Sequence, residues 1–364
     1  MQTQVIKVDP KSPEENIIKE TGNIIREGGL VAFPTETVYG LGGDALDPEA
    51  SKKIYAAKGR PSDNPLIVHI ADIEALDRIV TEVPEAARKL AKAWWPGPLT
   101  MIFNKTKAVP DETSGGLDTV AVRMPDHPVA AALIRAGGGY IAAPSANTSG
   151  RPSPTTAQHV KEDLDGKIPV ILDAGPVKIG LESTIVDFTE EIPVILRPGF
   201  INKAMLQDVL GEVKMDPGLS SENENIRPKA PGMRYRHYAP KASLTIVEGD
   251  SEAVIRRILA LTAEEEAAGR TVGLLVSDET ADRYEPAETR EPAGKTQASA
   301  KRLIRAAGHM ASEEEIAHNL YALLREFDER SVDVIYSEAF DAPQLGDAIM
   351  NRLIKAAGHH VIKA

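Results

Sequence analysis

The apolar positions of this chain recur with two spacings. From residue 5 to about residue 210, short runs of β-branched and apolar side chains alternate with stretches of helical period. "VIKV" (5–8), "LVAFP" (30–34), "LTMIF" (99–103), "TVAVRM" (119–124), "YIAAPS" (140–145), "PVILD" (169–173), "STIVDF" (183–188) and "VILRP" (194–198) predict strands. "PEENIIKETGNIIREGG" (13–29) carries apolar residues at helical spacing and ends in a Gly pair of the kind that follows a helix; "PEAARKLAKAWW" (84–95) is also helical. This alternation predicts an α/β sheet covered by helices. After residue 242 a second α/β rhythm begins. "SLTIVEG", "TVGLLVS" and "VDVIYSEA" predict strands. "SEAVIRRILALTAEEEAAG", "SEEEIAHNLYALLREFDER" (312–330) and "LGDAIMNRLIKAAG" predict helices, the second opening with a Ser-x-x-Glu capping box. That predicts a smaller Rossmann-like layer arrangement. It lacks a glycine fingerprint for a dinucleotide, so no organic cofactor is assigned to it. Residues 278–308 have no clear assignment.

Between the two rhythms lies a stretch without period, rich in Pro, Gly, Ser and Asn. The expected organisation is a first domain over 1–211, a linker over 212–241 and a second domain over 242–364. The linker holds "GMRYRHYAP" (232–240), with two Arg, two Tyr and one His in nine residues. A passive spacer has no use for that set, so the linker is expected to lie across a site.

Length agrees with two domains, since 364 residues exceed one typical domain. Aromatic residues are only 4% of the chain, so Leu, Ile, Val and Ala must supply most of the cores. The net charge of -12 argues against a surface that coats nucleic acid, although it leaves room for a local basic pocket. Cysteine is absent, which excludes disulfides, thiolate catalysis and cysteine zinc sites. The opening "MQTQVIKVDPKSPEEN" lacks the basic-then-apolar order of a signal peptide, and no apolar run approaches the roughly 20 residues of a membrane span. The expectation is a soluble, cytoplasmic protein.

Against that acidic background, "KGRPSDNP" (58–65) gathers two cations between prolines. Lys58 and Arg60 close a helical run that starts near Pro48, where cations suit the negative helix end. Pro61 and Pro65 also restrain the loop, so Lys58, Arg60, Ser62 and Asn64 become a fixed set of donors suited to a triphosphate. Four other segments carry chemistry. "FPTETVYGLGGDA" (33–45) reads as two threonines and a Gly-rich turn after a buried strand. In "TVAVRMPDHP" (119–128), Arg123 sits inside an apolar strand and must find an anion or water; its fork suits a carboxylate. "AAPSANTSGRPSPT" (142–155) offers hydroxyls, an amide and backbone N–H groups to an anion. It matches neither a GxxxxGK(S/T) phosphate loop nor a GxSxG elbow, which disfavours a covalent serine. "LESTIVD" (181–187) and "ILRPG" (195–199) bring Ser183, Thr184 and Arg197 to strand ends. His69, within "LIVHI", taken alone reads as a hydrogen-bonded core histidine. The pair His359–His360 reads as part of an exposed tail.

These segments, together with "WPGPLT", resemble the YrdC-like family, and "APGMRYRHYAP" followed by a second α/β domain resembles its long two-domain branch. The resemblance implies a twisted, open α/β sheet with a concave cationic cavity over 1–211. It also implies L-threonylcarbamoyladenylate synthase activity: L-threonine, bicarbonate and ATP, with Mg²⁺, give threonylcarbamoyl-AMP and pyrophosphate. The product would pass to a tRNA threonylcarbamoyl transferase complex that modifies adenosine beside the anticodon. By the same resemblance, Lys58, Arg60, Ser62 and Asn64 line the triphosphate. Ser145, Ser153, Arg197, the Thr119 side chain and the backbone at Ala143 add nucleotide contacts. Thr37, His69, Arg123 and Ser183 hold threonine, while Tyr235 and His237 close the cavity from the linker. Lys58 and Arg60 are the expected catalytic pair. The Mg²⁺ is expected on the ATP phosphates. A competing expectation is an RNA-binding module without synthase activity. A related carbamoyl transferase of hydrogenase maturation is disfavoured, because that type carries cysteine zinc modules.

Overall fold

Most of the strand-forming runs assemble into one mixed sheet. The computed structural model describes residues 2–219, 237–285 and 302–364, which form two compact units, one on either side of 220–236. In chain order the first unit contains β1 (Gln4–Lys7), α1 (Glu15–Arg26), β2 (Val31–Phe33), β3 (Gly40–Asp44), α2 (Pro48–Lys58), β4 (Ile67–His69), α3 (Leu76–Ile79), α4 (Glu85–Trp94) and β5 (Leu99–Asn104). It continues with α5 (Asp111–Ser114), β6 (Thr119–Arg123), α6 (Pro128–Ala136), β7 (Ile141–Ala142), α7 (Ala157–Leu164), β8 (Val170–Asp173), β9 (Thr184–Asp187), β10 (Val194–Arg197), α8 (Lys203–Leu210) and β11 (Lys214–Met215). The sheet order is β1-β8-β2-β3-β7-β4-β6-β5-β9-β10-β11, open at both edges. Thus the first residues of the segment read as a linker add a short strand beside β10.

Alternation along the central strands sends side chains into two cores. Ala32, Ala142 and Ile171 join one with Ile54 of α2, Leu90 of α4 and Leu206 of α8. Val31, Phe33, Ile141, Val170 and Leu172 join the other with Ile18 and Ile25 of α1 and Leu133 of α6. Strands covered on both faces read as continuous apolar runs, which is why the sequence reveals them.

The Gly-rich stretch after β2 is not a turn. Gly40–Asp44 forms β3, antiparallel to β2 and β7. Its glycines serve packing: a Cβ on Gly42 would stand 2.7 Å from Ile141 Cγ2 and 2.8 Å from the Phe33 ring. The sequence reads as a Gly-rich turn open to a ligand, whereas the missing side chains let neighbouring side chains cross the strand.

In the second unit the elements are β12 (Ser243–Glu248), α9 (Ser251–Ala267), β13 (Val272–Val276), β14 (Arg302–Ala306), α10 (Glu313–Glu329), β15 (Val334–Glu338), α11 (Gly346–Ala356) and β16 (Val361–Lys363). All the strands are parallel, in the order β14-β13-β15-β12-β16. Part of the unassigned stretch 278–308 is therefore the edge strand β14. The expected capping box at α10 does not form, since the Ser312 side chain makes no cap hydrogen bond. Glu315 instead packs its side chain over Gly308. His359 and His360 are exposed, but they lead into β16, which pairs with β12 rather than trailing as a tail. Among the described residues, no helix is long and apolar enough to cross a membrane.

Candidate active site

β4 is three residues long, and its two ends carry two groups of polar side chains about 7 Å apart along the strand. The first group stands where the chain enters β4. Helix α2 is capped at its start by Asp47, which accepts from the Glu49 N–H, and stopped by Gly59 in the left-handed region at φ 62°. Lys58, in its last turn, is buried. Its ammonium donates to the carbonyl oxygens of Ser145 and of Asn147, the latter at 2.5 Å. The Lys58 carbonyl accepts from the Ser149 N–H at 2.8 Å. The cation thus ties the 145–149 loop to the end of α2. Arg60 donates from Nε to the Asn64 carbonyl at 3.2 Å and from Nη2 to the Pro65 carbonyl at 3.1 Å, clamping the turn between the prolines. Asn64 is 1% exposed, yet both polar atoms of its amide lack a hydrogen-bond partner among the described residues. Ser62 is exposed on the same turn.

Ser145 donates to the Asn147 side-chain oxygen at 2.5 Å. The Ala143 N–H is committed to the Ile67 carbonyl at 2.9 Å, so that amide is closed to a ligand. Thr119 is half-buried at the first position of β6, opposite Asn104. Because β4 and β6 are parallel, with Ile67 beside Ala121, Thr119 lies toward this same end of the strands.

The second group stands where the chain leaves β4. Strand register puts His69 beside Arg123, Arg123 beside Thr100, and Leu99 beside Thr184. Arg123 is 4% exposed; it donates from Nη1 to Thr37 Oγ1 at 2.8 Å and from Nε to the Gly97 carbonyl at 3.4 Å. Its Nη2 lies 2.7 Å from Glu36 Oε1, an ion pair whose geometry is off-line for a hydrogen bond. Ser183 and Thr100 share a hydroxyl hydrogen bond of 2.7 Å. Arg197 donates to the Ser183 carbonyl at 3.0 Å and to its hydroxyl at 3.2 Å. Ser153 donates to the buried Glu182 carboxylate next door.

His69 is buried, with Nδ1 3.1 Å from the Ile67 carbonyl and the Phe33 ring edge-on at 6.3 Å. Burial pushes its pKa down to about 3, and the Arg123 guanidinium pushes the same way. The ring is therefore neutral at ordinary pH and can read a hydroxyl without adding charge.

Residues 35–41 join the two groups. Thr37 binds Arg123, while the Tyr39 N–H reaches the Pro154 carbonyl, the Ala146 N–H reaches the Tyr39 carbonyl, and the Leu41 N–H reaches the Pro144 carbonyl. Lys58, Arg60, Asn64, Ala143 and Ser145 thus gather at one end. Thr37, His69, Arg123, Ser183 and Arg197 gather at the other, with Ser153 close by. Ser62 and Thr119 lie on the first side without a hydrogen bond to the rest. Tyr235 falls outside the described residues. His237 belongs to the second unit, where its ring meets Tyr238 at 5.5 Å and Tyr238 meets Tyr321 at 5.2 Å.

The residue-level reading assigns no role to Glu36, Thr100 or Glu182, and counts Asn147 only as an amide offered to an anion. Glu36, Asn147 and Glu182 stand in the chemistry-bearing segments, whereas Thr100 stands in "LTMIF", read only as a strand. A carboxylate between two threonines in "PTET" was the available signal for Glu36, since an acid is seldom buried without a charged partner.

Comparison with known proteins agrees with this architecture. A family described as "Telomere recombination" matches residues 23–199, and one described as "Threonylcarbamoyl-AMP synthase, C-terminal domain" matches 201–358. A threonylcarbamoyl-AMP synthase of Bacillus subtilis (strain 168) is 49% identical, over 98% of this chain and 97% of its own. One from Pyrococcus abyssi (strain GE5 / Orsay) is 48% identical, over 96% of each chain. A crystal structure of P. abyssi Sua5 complexed with L-threonine superposes with a TM-score of 0.89 at 47% identity, covering 100% of both chains. That of E. coli YciO matches 54% of this chain and 96% of its own, at a TM-score of 0.50 and 26% identity. An RNA-binding module without synthase activity is thereby set aside in favour of an enzyme of the nucleotidyltransferase type. The chain belongs to the threonylcarbamoyl-AMP synthase family, in its two-domain form.

Proposed function

We propose that this enzyme joins L-threonine, bicarbonate and ATP into threonylcarbamoyl-AMP, with release of pyrophosphate. The observation that carries the reading is Arg123: a guanidinium 4% exposed, in register with a neutral His69 and hydrogen-bonded to Thr37. An α-carboxylate suits the arginine fork, and the hydroxyls of Thr37 and Ser183 with the His69 imidazole suit a side-chain hydroxyl. The P. abyssi relative solved with L-threonine supports the same assignment. At the other end of β4, Lys58, Arg60, Ser62, Asn64 and Ser145 form the triphosphate side, with Thr119 and the Ala143 region toward the nucleoside. Ser153 and Arg197, which stand beside Glu182 and Ser183 at the threonine end, add nucleotide contacts from that side.

No protein nucleophile is required. Threonine's amine and bicarbonate give a carbamate, whose oxygen attacks the α-phosphate as pyrophosphate leaves. The protein's work is to hold two anionic partners in line and shield the carbamate from water. The groups on the triphosphate side are hydrogen-bond donors and cations, which fit phosphate oxygens better than a bare metal ion. Mg²⁺ accordingly enters as part of the MgATP substrate. The product then serves a cytoplasmic transferase complex that modifies tRNA adenosine beside the anticodon.

The test is to incubate the enzyme with MgATP, bicarbonate and either threonine, serine or valine, and to detect the acyl adenylate by mass spectrometry. Threonine should give threonylcarbamoyl-AMP. Valine should be disfavoured by about 10⁴, because it leaves buried polar groups unpaired. Equal yields from threonine and valine would remove the hydroxyl-reading role, and no carbamoyl adenylate from threonine would remove the reading altogether.

A further inference from the structure

We propose that Glu36 holds the α-ammonium group of the amino-acid substrate and takes up the proton that this nitrogen loses when the carbamate forms. The inference rests on the threonine site proposed above and assigns that site its base.

Glu36 is 6% exposed, on the segment between β2 and β3. Its backbone is fixed. The Glu36 carbonyl accepts from the Ile179 N–H at 2.8 Å and the Thr37 carbonyl from the Gly180 N–H at 3.0 Å. Neither carboxylate oxygen receives a hydrogen bond among the described residues. A carboxylate has about four acceptor positions, and leaving them empty in a buried place is costly. Arg123 Nη2, 2.7 Å away, neutralises the charge but is not aligned to donate, and among the described residues it makes no hydrogen bond of its own. The two side chains therefore show matching deficits: an acceptor without donors beside a donor without an acceptor. An α-amino acid carries the complementary pair on a single carbon atom. Its carboxylate supplies the acceptor that Arg123 lacks, and its ammonium supplies three N–H donors for Glu36. Besides Arg123, the titratable group near this acid among the described residues is His127, whose Nδ1 caps α6; burial draws the His127 proton affinity down, while the Glu36 and Asp126 charges draw it part of the way back up. His69 lies beyond Arg123.

The reaction balances on this arrangement. The ammonium passes one proton to the Glu36 carboxylate and becomes an amine. The nitrogen lone pair attacks the bicarbonate carbon, a C–N bond forms and the C–OH bond breaks. The departing hydroxide takes a second proton from nitrogen and leaves as water. The carbamate keeps one negative charge for attack on the α-phosphate, and Glu36 returns its proton to solvent after the product departs.

The experiment compares Glu36→Gln, which keeps the shape and removes the base, with Glu36→Asp, which keeps the base on a shorter arm. Threonine binding is measured by calorimetry and pyrophosphate release by steady-state kinetics across pH, with bicarbonate and MgATP saturating. For Glu36→Gln we expect threonine affinity to fall about tenfold and kcat at saturating threonine to fall by about 10² or more, with loss of the acidic limb of the pH–rate profile. Glu36→Asp should regain part of that kcat. If Glu36→Gln turns over at the wild-type rate, or changes only the threonine KM, the proton-accepting role is overturned while the threonine site stands. Glu36→Asp slower than Glu36→Gln also overturns it. If the wild-type enzyme binds no threonine and Arg123→Ala changes nothing, the proposed site itself fails, and this inference with it.

Discussion

Replacing Lys58 by Met tests whether the cation holds the site together as well as facing phosphate. The methionine keeps the unbranched stem in a place that is 2% exposed. It removes the donor to the Ser145 and Asn147 carbonyls. Each buried carbonyl left without a donor costs about 1–3 kcal/mol, so the gross loss is about 2–6 kcal/mol. Removing a buried ammonium returns part of that loss, because its desolvation cost disappears too. A net destabilisation of about 2–3 kcal/mol is expected. For a unit of this size that corresponds to a melting shift of about 5–10 °C. Calorimetry on wild type, Lys58→Met and Lys58→Arg, scored on the transition of the first unit, reads it directly. Threonine-dependent pyrophosphate release should also drop by at least about 10², since the 145–149 loop loses its tie to α2 along with the positive charge. A melting temperature within about 1 °C of wild type for Lys58→Met would refute the strut, whatever happens to activity.

Two further outcomes follow from the same geometry. His69 titrates at about 3 in the fold against 6.5 in an unfolded chain, so below pH 6.5 the unfolded state binds a proton that the folded state refuses. Stability is unaffected above that value and falls as pH drops toward 3. Between pH 7 and pH 5 wild type should lose about 2 kcal/mol more than His69→Gln in urea unfolding, and equal losses would deny the buried neutral ring. Gly42→Ala sets a methyl 2.7 Å from Ile141 Cγ2 and 2.8 Å from Phe33, so it should destabilise by about 1–3 kcal/mol; a neutral result by calorimetry would show that β3 can give way there.

What the sequence determined by itself is local. Apolar runs such as "LVAFP" and "PVILD" became β2 and β8 because strands buried on both faces need no alternation to be read. The chain's order of elements, its lack of cysteine and the donor-rich loop at 58–65 needed no coordinates either. Glycine was the misleading letter, since "GLGGD" is equally at home in a turn and in a crowded central strand. Only contacts with Phe33 and Ile141 decide between them. Tertiary structure alone decided which polar groups meet. Arg123, Thr100 and Ser183 are far apart in sequence, and it is strand register that brings their side chains into one cluster. It also decided that Lys58 serves carbonyls more than 80 residues ahead and that Glu36 faces Arg123 with no hydrogen bond from the described residues to satisfy it. Residue type records what a group can donate or accept. Whether that capacity is spent inside the protein or left for a ligand depends on neighbours that only the folded sheet assembles.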